Sequence, residues 1–223
     1  MLKIKIDQII RSARKTLSLE ITPDAHLVVR APQNIKMAAI ESVLFKKRFW
    51  IQSKQKMIHK KRSEIHPKEF VNGEGFLYLG RAHKLQIVED ATPFRFQDRF
   101  YLSKNHLQLG KHKFIQWYKQ RALEKFSERV RWYAKVAGLE YQSIKISDAT
   151  KRWGSCSAKG NLRFNWRLIM APAKVIDYVV VHELTHLEEK NHTAFFWAKV
   201  QRILPKYQKY VYWLKQNQHL LGL

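Results

Sequence analysis

One cysteine, Cys156, is all the chain has in 223 residues. No internal disulfide can staple the fold, and a reducing cytoplasm is the expected compartment. Acidic residues are scarce as well: 18 Asp plus Glu stand against 42 Lys plus Arg, for a formal charge of +24. Such an excess attracts polyanions, which makes nucleic acid or a nucleotide a candidate partner, beside the plainer reading of a soluble enzyme with a basic surface. No helix-turn-helix, RNP or zinc-finger pattern accompanies the charge. Long apolar runs are missing too: nothing approaches the ~20 residues of a membrane span, and the opening Met-Leu-Lys-Ile-Lys-Ile-Asp holds no secretory core. Neither insertion nor export is expected. At 45% hydrophobic and 13% aromatic, without a low-complexity tract, the chain is globular and fits one or two domains.

What is present concentrates in His182-Glu183-Leu184-Thr185-His186. Residues four apart share one face of a helix, so His182 and His186 can aim both imidazoles at one point with Glu183 beside them. A catalytic zinc takes three protein ligands and keeps a fourth position open. His192 is the expected third ligand, and a carboxylate at Glu188 or Glu189 is the rival. On a straight helix His192 would lie ~15 Å beyond His182, so the chain must turn back, with Lys190-Asn191 as the expected place. By accident this His/Glu set is expected in about one chain in a thousand.

Ahead of the motif, the apolar spacing sketches the architecture. Leu17, Leu19 and Ile21, the Pro23-Asp24 turn and Leu27-Val28-Val29 read as a hairpin. Asn34 is expected to cap a helix to about Lys60, with Ile40, Val43, Leu44 and Ile51 inward and Lys47, Lys54 and Lys61 in line outside. A linker over 62–75 is followed by a β meander at Phe76–Leu79, Lys84–Val88, Phe94–Phe96, Phe100–Leu102 and His106–Leu109. A helix from Phe114 to about Ala137 ends at Gly138. Ile144 and Ile146 open a strand running toward Cys156. The Ala158-Lys159-Gly160 turn leads to a return strand, with Leu162, Phe164, Trp166 and Leu168 inward and Asn161, Arg163, Asn165 and Arg167 outward. That return strand is the expected edge for an extended peptide. Arg152, Trp153, Arg163 and Asn165 are candidate substrate-binding residues, Arg167 a further candidate cation, and Cys156 a packed thiol. His83, His106 and His112 have no ligand spacing. The segment from Leu204 to Leu223 reads as a closing helix.

Trp153-Gly154-Ser155-Cys156, the Lys159-Gly160-Asn161-Leu162 turn, Asn165, Trp166 and Leu168, the His182 to His186 motif, and Asn191-His192 with Phe196-Trp197 resemble the YgjP-like metallopeptidase family. The SprT-like and WLM zinc proteases are more distantly similar. The resemblance covers most of the chain. It implies an α+β, zincin-like fold: a small mixed sheet packed on the active-site helix, with His182, His186 and His192 on zinc and Glu183 as the base. The spacing to His192 matches metzincins, but Glu189 stands at their turn glycine and no methionine turn follows, so that label is not applied. The expected division is an N-terminal α+β region at 1–112 and a catalytic domain at 113–223.

Three functions fit these residues. The first is a zinc peptidase. The second is a metal-dependent hydrolase of nucleotides or other phosphate esters, of the nucleoside triphosphate pyrophosphatase type. The third is a basic nucleic-acid-binding protein with a structural zinc, which the shortage of cysteine argues against.

Overall fold

The structure, a computed structural model, describes residues 4–64 and 66–223; Met1 to Lys3 of the N-terminal stretch and Ile65 of the linker lie outside them. Two compact units form, Met1–His66 and Pro67–Leu223.

In the first unit the hairpin is present as β2 (Ser18–Ile21) against β3 (Leu27–Pro32). A strand that local patterning does not mark, β1 (Gln8–Ser12), pairs with β3 in parallel and makes it central. Leu27, Val29 and Ala31 alternate toward one side of the sheet. There they meet Ile40, Leu44 and Ile51 from the 27-residue helix α1 (Met37–Ser63). Val43 is only half-buried. Asn34 is not the cap: α1 starts from Lys36 with no side-chain cap, and Arg11 donates instead to the carbonyls of Pro32, Gln33 and Ile35, holding the approach. Lys47 and Lys54 are exposed, whereas Lys61 is half-buried.

The second unit opens with the meander β4 (Gly75–Tyr78), β5 (Arg81–Val88), β6 (Phe94–Phe96) and β7 (Phe100–Ser103), in the order β4-β5-β7-β6. The expected fifth strand is a 3-10 helix over Lys104–Leu109, which leads straight into α2 (Gly110–Ala137). Phe114, Tyr118, Ala122, Phe126, Val130 and Tyr133 form its buried stripe, and Gly138 ends it in the left-handed conformation, φ 67°. Phe76 stacks on Phe114 at 4.1 Å between ring centroids, and Phe100 lies 4.9 Å from Phe114. The meander therefore shares one core with α2 and the C-terminal helices, and the boundary at His66 and Pro67 differs from the division expected at 112.

A second sheet holds β8 (Ser143–Ser147), β9 (Gly154–Cys156) and β10 (Asn161–Asn165) in the order β8-β10-β9. The strand expected to run on from Ile146 stops at Ser147, and β9 is separate. Trp166 and Leu168 are buried as expected, but on a 3-10 turn over Trp166–Met170 and not on the strand. Pro172 then opens α3 (Ala173–Thr185). Gly80 fixes where this helix begins: with φ 81° it leaves only 2.8 Å between the place of a Cβ and Pro172 Cγ. The Leu79 and Gly80 amides donate to the carbonyls of Ile169 and Met170 in the same corner.

Three consecutive valines are poor helix formers, so α3 is held by what surrounds it. It touches α2, β9, α4 (Ala194–Ile203) and α5 (Tyr207–Asn217), with buried residues on every side. Its one buried aspartate, Asp177, accepts from Arg129 Nε at 2.6 Å and lies 3.5 Å from Lys174 Nζ. Among the described residues no helix is long and apolar enough to cross a membrane.

Candidate metal centre

Each imidazole is placed by a different device. His182 sits in the last full turn of α3, and His186 four residues on is its C-cap, in right-handed conformation. The helix therefore ends earlier than expected, and no left-handed Asn191 is used. Lys190 Nζ donates to the carbonyls of His186 (2.9 Å) and Leu187 (3.3 Å), satisfying part of the exposed helix end. The turn carries His192 back over the helix, and Thr193 then caps α4 by accepting from the Phe196 amide.

The ring centroids of the three histidines lie 4.7 to 5.0 Å apart. One nitrogen from each falls within 4.8 Å of the other two, and they are the one such group among the described residues. His182 Nε2 and His192 Nε2 are 3.0 Å apart. Two nitrogens bound to zinc at ~2.05 Å with a tetrahedral angle stand ~3.3 Å apart, so the spacing suits an ion. Two neutral imidazoles with lone pairs facing at this distance need a proton or a cation between them. His186 Nδ1 lies 2.9 Å from the Glu189 carbonyl; carrying the proton there, it leaves Nε2 free as a ligand, as metal-binding histidines commonly do. Burial first, then His186 and His192, lowers the pKa of His182 to about 3, so it is neutral as a ligand must be. Burial also lowers His186, against the pull of the Glu189 carbonyl. The donor set fits a divalent metal.

Glu183 is 5% exposed. Burial raises its pKa to about 8, and the charge of Arg152 works in the opposite direction. Its side chain lies against Gly154 of β9 so closely that a Cβ there would stand 2.5 Å from Glu183 Cγ and Oε1. Gly154 appears in the sequence as one letter of a motif; its reason is this approach. Phe196 forms the floor, with its ring 4.6 to 4.9 Å from all three imidazoles, and Trp197 stacks on His192. Spacing within the motif places neither ring at the histidines; Phe196, four residues beyond His192, is the signal that the sequence offers.

The rival carboxylates go elsewhere. Lys199 of α4 pairs with Glu188 at 3.0 Å and Glu189 at 3.1 Å, which ties down the turn whose carbonyl orients His186. Arg152 is exposed with its charge felt at Glu183, Trp153 is half-buried against the core, and Arg163 is exposed on β10. Asn165 was expected to face outward. It is instead 4% exposed, donating to the Ala149 carbonyl at 2.7 Å and accepting from the Arg167 amide at 3.0 Å, so its carboxamide braces the entry to the 3-10 turn. Arg167 lies over the Trp166 ring at 4.5 Å. Cys156 is half-buried, and burial pushes its thiol up.

The peptide edge expected at 161–168 is corrected by the sheet order. β10 is central, paired in parallel with β8 and antiparallel with β9, so its amides are taken. β9 is the edge. The Trp153 carbonyl accepts from Asn165 and the Ser157 amide donates to Asn161. Antiparallel bonding alternates, so Ser155 also turns toward β10 while Gly154 and Cys156 turn their backbone groups to the open side.

A buried helix with two imidazoles and a carboxylate, an edge strand drawn against that carboxylate, and a third imidazole returned by the next turn define a zincin-like metallopeptidase on an α+β fold. The particular group emerges from sequence comparison: residues 15–217 match the family described as YgjP-like, metallopeptidase domain, and the chain belongs to it. No curated protein matches the chain. Among solved structures, the metallopeptidase zymogen abylysin of Pyrococcus abyssi is 17% identical with a TM-score of 0.39, over 42% of this chain and 95% of that one. The zymogen jannalysin of Methanocaldococcus jannaschii is 23% identical with a TM-score of 0.37, over 43% of this chain and 96% of that one.

Proposed function

We propose that the protein is a zinc-dependent peptidase in which His182, His186 and His192 hold the ion and Glu183 moves the protons. The convergence of three imidazole nitrogens within 4.8 Å, with Glu183 next in sequence to one of them, carries this reading. When bound, zinc supplies Lewis-acid activation of water and of the scissile carbonyl. The positive charge of an ion at the three imidazoles would offset the burial that raises Glu183, so its carboxylate would take the proton from the attacking water and hand it to the leaving amine, the two halves of general acid-base work. Gly154 keeps the carboxylate in place by having no Cβ. Phe196 packs against all three imidazoles and Trp197 against the exposed His192, which limits how far the rings can turn. An extended peptide pairs with the outward backbone groups of Gly154 and Cys156, which supply affinity with little side-chain selection and lay the scissile bond past Glu183. Arg152 stands where it can meet a substrate carboxylate.

Glu183→Gln should retain stoichiometric zinc, measured by mass spectrometry of the ion, and lose about a thousandfold in cleavage of a mixed peptide library. His192→Ala should lose the metal. If nucleoside triphosphates, and not peptides, are hydrolysed by wild type and spared by Glu183→Gln, the phosphate-ester reading replaces this one.

A further inference from the structure

The excess of positive charge has no part in the chemistry above, and α1 carries a large share of it. Its 27 residues hold eight Lys and Arg against one acid, Glu41. At 1.5 Å per residue the helix presents a track ~40 Å long. Arg62 is paired with Asp24, but among the described residues no acid lies within ion-pair distance of Lys46, Lys56 or Lys60. At 100° per residue these three fall on the face opposite Ile40, Leu44 and Ile51, and all are exposed.

Two aromatic rings stand on that same outer face, one turn apart. Phe45 is 54% exposed and Phe49 is 68% exposed. Neither belongs to the apolar core of the unit. The Arg48 guanidinium lies over both, 4.3 Å from one centroid and 4.4 Å from the other, and its Nη1 donates to the Phe45 carbonyl at 2.9 Å. The rings are thereby steadied by a cation from one side and left open on the other. The two rings form a contiguous exposed pair, with the unpaired Lys46 between them in sequence and Lys56 and Lys60 further along the same face.

We propose that the outer face of α1 is a docking track for single-stranded nucleic acid. Unpaired bases stack on Phe45 and Phe49, while Lys46, Lys56 and Lys60 follow the phosphates. Stacking on aromatic side chains within a cationic groove or track is how single strands are held without sequence selection. A duplex keeps its bases stacked inside and has nothing to offer the rings. A lipid surface fits less well, because the apolar stripe of α1 that would enter a bilayer is already buried against its own sheet.

The test uses the full chain and fluorescence anisotropy with a labelled oligo-dT of about 20 nucleotides, a duplex of equal length, and sedimentation with phosphatidylserine vesicles, over a salt series. Oligo-dT should bind more tightly than duplex. Phe45→Ala/Phe49→Ala should weaken oligo-dT about tenfold or more without changing the salt slope, and Phe45→Tyr/Phe49→Tyr should bind as wild type. Lys46→Gln/Lys56→Gln/Lys60→Gln should lower the slope by about 2, at ~0.7 per phosphate on a single strand. The proposal fails if oligo-dT does not bind, if the Phe-to-Ala pair leaves its affinity unchanged, or if the pair loses vesicles and keeps the oligonucleotide. Both rings are exposed, so circular dichroism melting should be unmoved in every variant.

Discussion

Two helices of this molecule, α3 and α1, are built to opposite plans. The first is 13 residues long and buries ten of them; the second is 27 residues long and buries three. In α3 nearly every side chain is fixed by a neighbour: Asp177 by Arg129, Glu183 by Gly154, His186 by the Glu189 carbonyl. In α1 one stripe is anchored and the remaining faces meet solvent. A metal-binding helix needs ligands held to a fraction of an ångström, which only surrounding atoms supply. A surface meant for a flexible polymer needs length and charge and no such fit. Precision here comes from neighbours, and breadth from their absence.

Beyond Glu183→Gln, four substitutions bear on that contrast. Gly154→Ala places a Cβ 2.5 Å from Glu183 and must push the carboxylate aside. A displacement of this size is expected to lower kcat about a hundredfold with KM and bound metal little changed, checked by steady-state kinetics beside metal analysis. If kcat is untouched, the tight fit claimed for α3 is broken. Asp177→Ala removes the close partner of Arg129 and leaves it only Glu128, 3.8 Å away. The arginine keeps some contact with water, so the cost should be about 2 kcal/mol, below the 3–5 of a fully buried pair, read from urea denaturation. Lys199→Ala frees the turn holding Glu188 and Glu189 and should weaken zinc by a factor of about three to ten, measured by competition with a chelator. Least of all, Lys54→Ala on exposed α1 should shift stability by less than about 0.5 kcal/mol in the same denaturation experiment. A larger shift there would mean that α1 is pinned in the way α3 is.

Local patterns were legible and distant pairings were not. The β2–β3 hairpin, the stripe on α2 and its stop at Gly138 depend on residues a few positions apart, and each is found as read. β1 joins β3 across about twenty residues, and no short-range pattern announces a parallel partner. The alternation through Leu162, Phe164, Trp166 and Leu168 looks like one strand because the 3-10 turn that takes over at Trp166 also buries Leu168. That β10 is central emerges only once β8 and β9 are both seen beside it, and so 161–168 looks like an open edge in the sequence and is not one. The cluster of histidines was legible because helical spacing and one turn suffice to gather it. The tie from Lys199 and the floor of Phe196 involve another helix, whose position no spacing within the motif specifies.

The open strand β9 is only three residues long. Unpaired sheet margins invite other chains to add themselves, and long flat ones seed aggregates. A margin this brief, bounded by the Ser157 to Gly160 turn, gives a second copy too few amides to build upon. Fibrillar self-association is thereby disfavoured, while the peptide proposed to pair here would still find two residues with which to align.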